Sequence, residues 1–361
     1  MLRTMTHTVA AFGILFPLIS GLMGASKVAV LGADHSLAVH ATSGITQRDQ
    51  TQHPWRGAHM EIGSEADLDA LAAQIPTLAG IGLNVILLEI DYNYQFKSRP
   101  EMASPNGVTF VGARKFSKIC RRNHVRVIPL MNCLGHQSWD STTETLLRVH
   151  PELDETPGLF PQNKGIYCRS WCPLNPDLPK VIFPMIDEMK DAFQADAFHV
   201  GLDEVFIIGT DTCPRCHGKD HADLFAEQVT MLHDHLKQKH IQMFMWADRL
   251  LDGNATGYGE WEASTNDTYK AIDRIPKDIV MCDWHYEKRA SYPSLQIFAD
   301  HGFSVWPSTW RDVTAATAFS AQAKGMKNPK VVGVLSTTWG EVKADKLATW
   351  PPLSASFAPW P

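Results

Sequence analysis

Two acids stand side by side at the end of an apolar run, in His199-Val200-Gly201-Leu202-Asp203-Glu204-Val205-Phe206. Two adjacent carboxylates at the end of a buried strand are costly unless a site uses them, so the pair points to acid–base or electrostatic chemistry. Solvated loop acids are the plain alternative. Tryptophans shift the balance. Trp246, Trp284, Trp306 and Trp339 each fall at or just past the end of a short apolar run. A lone Trp is usually core, but four at the same point of a repeating pattern predict the walls of a concave pocket able to stack on flat apolar ligand faces.

The pattern itself is a β-branched or apolar run, a polar and aromatic cluster, then a longer amphipathic stretch. It predicts strands at Gly57–Met60, Val85–Ile90, Val125–Leu130, Ala197–Val200, Met243–Trp246, Ile279–Cys282, Phe303–Trp306 and Val331–Leu335. Helices are expected over Ser64–Leu78, Leu178–Phe193 and Ala222–Lys239, with shorter ones later in the chain. Eight such units in about 300 residues fit a single (β/α)8 TIM barrel. A doubly wound open sheet is the alternative, but no Gly-rich phosphate turn follows the first strand. Residues 131–176 form the one long interruption, of the kind that serves as a lid or functional loop.

Barrel enzymes carry their chemistry where strands end. The residues at those points are Asp91 after the second strand, His136 after the third, Asp203 and Glu204 after the fourth, Asp248 after the fifth, Trp284 and Tyr286 after the sixth, and Trp339 and Glu341 after the eighth. Arg56 stands at the start of the first strand.

The chain has 361 residues, 44% hydrophobic and 20% charged, with a net charge of -6. That composition supports one large core and offers no basic footprint for nucleic acid. Arg3 and His7 precede an apolar run from Val9 to Met23, followed by Gly24 and Ala25. Residues 1–25 therefore read as an export signal, with an uncleaved anchor as the alternative, and residues 26–52 as a linker. The catalytic domain is expected over 53–350 and a tail over 351–361. Seven cysteines are an odd number for an exported chain. Cys213-Pro214-Arg215-Cys216 invites a zinc reading that would need His221 or the Cys168/Cys172 pair nearby; a local disulfide or inert thiols serve equally, and no metal is assigned. No cofactor and no stable protein partner is expected.

His199-x-Gly201-x-Asp203-Glu204 resembles the His-x-Gly-Gly-Asp-Glu signature on the fourth strand of the family 20 β-N-acetylhexosaminidases. Trp55-Arg56-Gly57 is similar to that family's first-strand motif with a sugar-binding arginine, and Leu134-Gly135-His136 to its Pro-Gly-His segment. Asp283-Trp284-His285-Tyr286 resembles the segment that supplies a tyrosine to the substrate acetamido group. Leu202 departs from the signature's second glycine, and the α/β domain that often precedes the barrel in this family is missing.

The resemblance implies cleavage of terminal β-linked N-acetylhexosamine from an oligosaccharide or glycoconjugate. Adjacent acids on one strand cannot flank a glycosidic bond as acid and nucleophile, which need about 5 Å or more between them. The implied alternative is substrate assistance. The acetamido oxygen attacks the anomeric carbon, Glu204 is acid and then base, Asp203 orients the amide, and Tyr286 holds its carbonyl. Arg56, Asp91, His136, His199, Trp246, Asp248, Trp284, Trp339 and Glu341 are the expected sugar-binding set. Two further readings stay open: a conventional retaining glycosidase with Asp283 or Glu341 as nucleophile, and a non-catalytic carbohydrate-binding barrel.

Overall fold

The computed structural model describes residues 54–360. The export segment and linker expected over 1–52 lie outside them. Eight parallel strands close into a barrel: β1 Trp55–Glu61, β2 Val85–Glu89, β3 Arg126–Cys133, β4 Ala197–Gly201, β5 Gln242–Trp246, β6 Val280–Trp284, β7 Ser304–Thr309 and β8 Gly333–Ser336. Each pairs with its chain neighbours, and β1 with β8, so no edge is left open. The eight expected strands are all present. Their near-continuous apolar runs follow from burial on both faces, inward against the barrel filling and outward against helices.

Seven longer helices coat the barrel: α1 Glu65–Gly80, α2 Phe110–Arg122, α3 Leu178–Phe193, α4 His221–Gln238, α5 Ser294–Asp300, α6 Val313–Gly325 and α7 Pro351–Phe357. Side chains cap several of them. Ser64 Oγ accepts the Asp67 amide ahead of α1, and Asp220 does the same for Asp223 ahead of α4. After β5 the chain makes only short turns at Asp248–Leu250, Gly253–Thr256 and Thr268–Ala271 where a barrel helix would stand. Among the described residues no helix is long and apolar enough to cross a membrane.

Two expectations are corrected here. Residues 351–360 are part of the barrel, not a tail. Pro351 and Pro352 start α7, where a missing N–H costs nothing, and Leu353, Phe357 and Trp360 are buried. Trp360 Nε1 donates to Ser320 Oγ on α6 at 2.9 Å. Trp306 is no pocket wall either. It packs against Trp55 and Phe244 inside the barrel, fully buried.

Candidate active site

The backbone turns sharply as β4 ends. Gly201, Leu202 and Glu204 all adopt left-handed conformations (φ 67°, 75° and 49°). A Cβ on Gly201 would meet Asn132 Oδ1 at 2.4 Å, so that glycine is required by space as well as by conformation. Leu202, which stands where the signature has its second glycine, takes a left-handed conformation without glycine's freedom. The cost is about 1–2 kcal/mol, offset by a fully buried side chain.

This turn presents Asp203 and Glu204 to one histidine. His136 Nε2 lies 3.3 Å from Asp203 Oδ2 and 3.3 Å from Glu204 Oε2. Burial pushes the His136 ring down, but the Asp203 charge and the contacts with both acids outweigh it and hold the ring well above its ordinary value. The other oxygen of Asp203, Oδ1, is buried and has no partner. Asp248 fixes the turn from behind. Its Oδ2 accepts the Glu204 amide at 2.9 Å and Arg249 Nε at 2.6 Å, and its Oδ1 accepts Trp284 Nε1 at 3.3 Å. Burial raises Asp248 to about 6 even with Arg249 beside it.

The aromatic side of the mouth is equally braced. Tyr286 stacks on Trp284 with ring centres 4.9 Å apart, and its hydroxyl accepts Trp339 Nε1 at 2.7 Å. The hydroxyl keeps its own proton as a donor, with Thr337 also beside it. Trp246 lies beneath, fully buried, in tilted contact with Trp339 at 5.4 Å. Behind Tyr286, Glu262 accepts its amide at 3.0 Å and accepts Arg289 Nη2 at 3.0 Å.

Several expected sugar ligands have other work. Arg56 is at the N-terminal end of β1, the opposite end of the barrel from Glu204, and donates to the Gly82 and Trp360 carbonyls at 2.6 and 2.9 Å. It is a fastening for α7, not a sugar contact. His199 is fully buried, accepts the Gly201 amide on Nδ1 and packs on Trp246. Asp91 turns its oxygens to Asn132, accepting the backbone amide at 2.6 Å and Nδ2 at 3.3 Å. Glu341 is exposed and paired with Arg311. His136 and Asp248 are at the site, but each is bonded to or beside the acid pair.

Sequence reasoning missed two groups. Glu89, at the end of β2, accepts Asn132 Nδ2 at 2.9 Å and lies 2.8 Å from His59 Nε2. Burial, then the Glu61 and Asp203 charges, raise Glu89 to about 8, while burial lowers His59 to about 4. A charged residue inside the run Val85–Ile90 was the available signal. The second group is an aromatic rim of Tyr167, Phe206, Trp261 and the half-exposed Trp139, with Tyr167 at its centre 5.0 Å from Trp261 and 5.7 Å from Phe206. It borders an open cleft of about 310 Å³. The interruption at 131–176 thus supplies both His136 and Tyr167 to the mouth.

An acid pair clamped by histidine and walled by tryptophan at the C-terminal mouth of a parallel barrel belongs to the architecture of barrel hydrolases. The model of the catalytic domain of glycosyl hydrolase family 20 matches residues 111–356, and the chain belongs to that family. Solved structures agree on the fold. Flavobacterium johnsoniae chitobiase superposes with a TM-score of 0.64 at 18% identity, covering 85% of this chain and 48% of that one. A Bacteroides fragilis β-N-acetylhexosaminidase gives 0.59 at 15%, covering 86% and 66%. A Vibrio harveyi exo β-N-acetylglucosaminidase in complex with N-acetylglucosamine gives 0.61 at 16%, covering 86% and 54%. The chain therefore spans about half to two thirds of these proteins. No curated protein matches it in sequence.

Proposed function

We propose that this barrel removes terminal β-linked N-acetylhexosamine, GlcNAc or GalNAc, by a retaining, substrate-assisted mechanism. The observation that carries the reading is Asp203 Oδ1, a buried carboxylate oxygen without a partner, next to an acid that faces the same mouth. Leaving such an oxygen bare is costly, and an amide N–H from the substrate would satisfy it.

In the first step the acetamido oxygen bonds to the anomeric carbon as the bond to the aglycone oxygen breaks. Glu204 gives its proton to that oxygen. Asp203 accepts the amide N–H and stabilises the positive oxazolinium ring. Tyr286 donates its hydroxyl proton to the acetamido oxygen, while Trp284 and Trp339 enclose the group and Trp246, fully buried, supports Trp339 from beneath instead of forming the expected wall. In the second step Glu204 takes a proton from water, which bonds to the anomeric carbon and reopens the ring with the β configuration restored.

The conventional retaining alternative loses its two proposed nucleophiles. Asp283 is buried, accepts Ser294 Oγ at 2.7 Å and lies 3.2 Å from His285. Glu341 is on the surface with Arg311. The basic and apolar N-terminal residues support export of the enzyme, which suits a glycoconjugate substrate.

The test compares p-nitrophenyl β-N-acetylglucosaminide with the β-glucoside, using wild type, Asp203→Asn and Glu204→Gln. Activity on the acetamido sugar alone, blocked by a thiazoline and lost in both variants, is the expected result. Cleavage of the plain glucoside, or full activity in either variant, overturns the reading.

A further inference from the structure

Cys172 meets the distant pair Cys213 and Cys216 beside the active-site loops. Cys172 Sγ lies 3.3 Å from Cys213 Sγ and 3.5 Å from Cys216 Sγ, and all three are buried. The carboxylate of Glu155 completes the group, with the four ligand atoms within 4.8 Å of one another. Glu155 is fully buried; one oxygen accepts the Thr210 amide at 3.0 Å and the other has no partner. A bare carboxylate oxygen turned into a nest of thiols has no account in packing or in the acid–base chemistry above.

Zinc accounts for all four groups at once. Tetrahedral zinc with Zn–S of about 2.3 Å sets its sulfurs about 3.8 Å apart, close to the spacing seen, whereas a disulfide needs about 2.0 Å. Cys213-Pro214-Arg215-Cys216 has the two-residue spacing of a zinc-binding half-site. A disulfide would consume two sulfurs and leave the third and Glu155 Oε2 unsatisfied.

We propose that Cys172, Cys213, Cys216 and Glu155 form a structural zinc site. Zinc displaces three thiol protons to solvent as the Zn–S bonds form, and Glu155 binds as the carboxylate. With four protein ligands no position is open for water, so the ion holds structure and does no chemistry. What it holds is specific. The site joins the 153–156 turn, the segment just after Tyr167, and the loop after Phe206, so it pins the aromatic rim to the mouth. It does not depend on the substrate proposed above.

Metal analysis of the full chain, purified without chelator, should find about one zinc per chain. Glu204→Gln, which alters the catalytic cluster, should keep it, and Cys213→Ser/Cys216→Ser should lose it. Cobalt exchanged into the wild-type chain should give thiolate-to-metal charge-transfer bands, a readout that stands even if the cysteine variant fails to fold. The proposal is overturned by wild type without zinc and without those cobalt bands, by an intact mass two hydrogens lighter with Cys172 bridged to Cys213 or Cys216, or by zinc retained in the folded double variant.

Discussion

Two carboxylate–histidine groups stand at neighbouring strand ends of this barrel, and their histidines are shifted in opposite directions. His136 faces two acids, and their pull overcomes its burial, so its ring is held well above its ordinary value. His59 faces one close acid, Glu89, and is buried completely; desolvation wins on both partners, leaving His59 neutral and Glu89 protonated at pH 7. The contact distances alone do not predict this. His59 and Glu89 are nearer, at 2.8 Å, than His136 is to either of its acids, at 3.3 Å. What decides is contact with the acids: Asp203 and Glu204 both touch the His136 ring, whereas the Glu61, Asp91 and Asp203 charges that favour a proton on His59 do not outweigh its burial. The group with the raised histidine is the one whose oxygen is left for a ligand, and the His59–Glu89 pair supports the floor.

The sharpest way to break this contrast is to neutralise an acid in each group and compare turnover. Glu204→Gln removes the proposed proton donor and should lower kcat about 10²- to 10⁴-fold. Asp203→Asn removes the carboxylate proposed to face the oxazolinium ring and should cost about 10²- to 10³-fold. Glu89→Gln should stay within a few-fold of wild type, since the native side chain is already uncharged. Steady-state kinetics on the acetamido substrate separates the cases, and a Glu89→Gln loss as large as that of Asp203→Asn would merge the two groups into one.

His136→Gln tests the group around Asp203 and Glu204 less drastically. It removes a charged contact to both acids while keeping a donor, and should cost about 10- to 100-fold in kcat. It also has a signature in stability. A histidine whose folded value is raised contributes stability that is fully present below about 6.5, its unfolded value, and lost as pH rises through the folded one. Urea midpoints measured from pH 6 upward should therefore fall less steeply in His136→Gln than in wild type. Parallel curves would mean that the ring is neutral and merely hydrogen-bonded.

Which parts of this were legible in the sequence follows from what each signal measures. Strands buried on both faces read as apolar runs, and acids at their ends read as a site, so the barrel and the pair were both visible. Glu89 and His59 point inward from within such runs, where a single polar residue looks like a lapse in the pattern. Arg56 shows the reverse fault. The strand count alone put it at the N-terminal end of β1, where the structure has it, and only the short-motif resemblance carried it to the sugar. The α7 segment was hidden by its Pro-Pro start, and the meeting of Glu155 with Cys172 and Cys213 spans distances that no local spacing encodes.

The smallest effect separates the two groups most cleanly. Folding gives Glu89 a proton between pH 4.5 and about 8, and it takes one from His59 between about 4 and 6.5. Between 4.5 and 6.5 these cancel, because the proton only moves from one partner to the other. From 6.5 to 8 the uptake by Glu89 stands alone, so stability falls with rising pH by at most about 1.4 kcal/mol per unit. Glu89→Gln cannot titrate. Relative to wild type it should lose that fall above 6.5 and gain a rise between about 4.5 and 6.5, now that the His59 contribution is uncompensated there. His136→Gln changes only the upper window. Urea midpoints across pH 4 to 8 for the three proteins read both windows, and an unchanged profile for Glu89→Gln below 6.5 would show that the His59–Glu89 pair holds a charge after all.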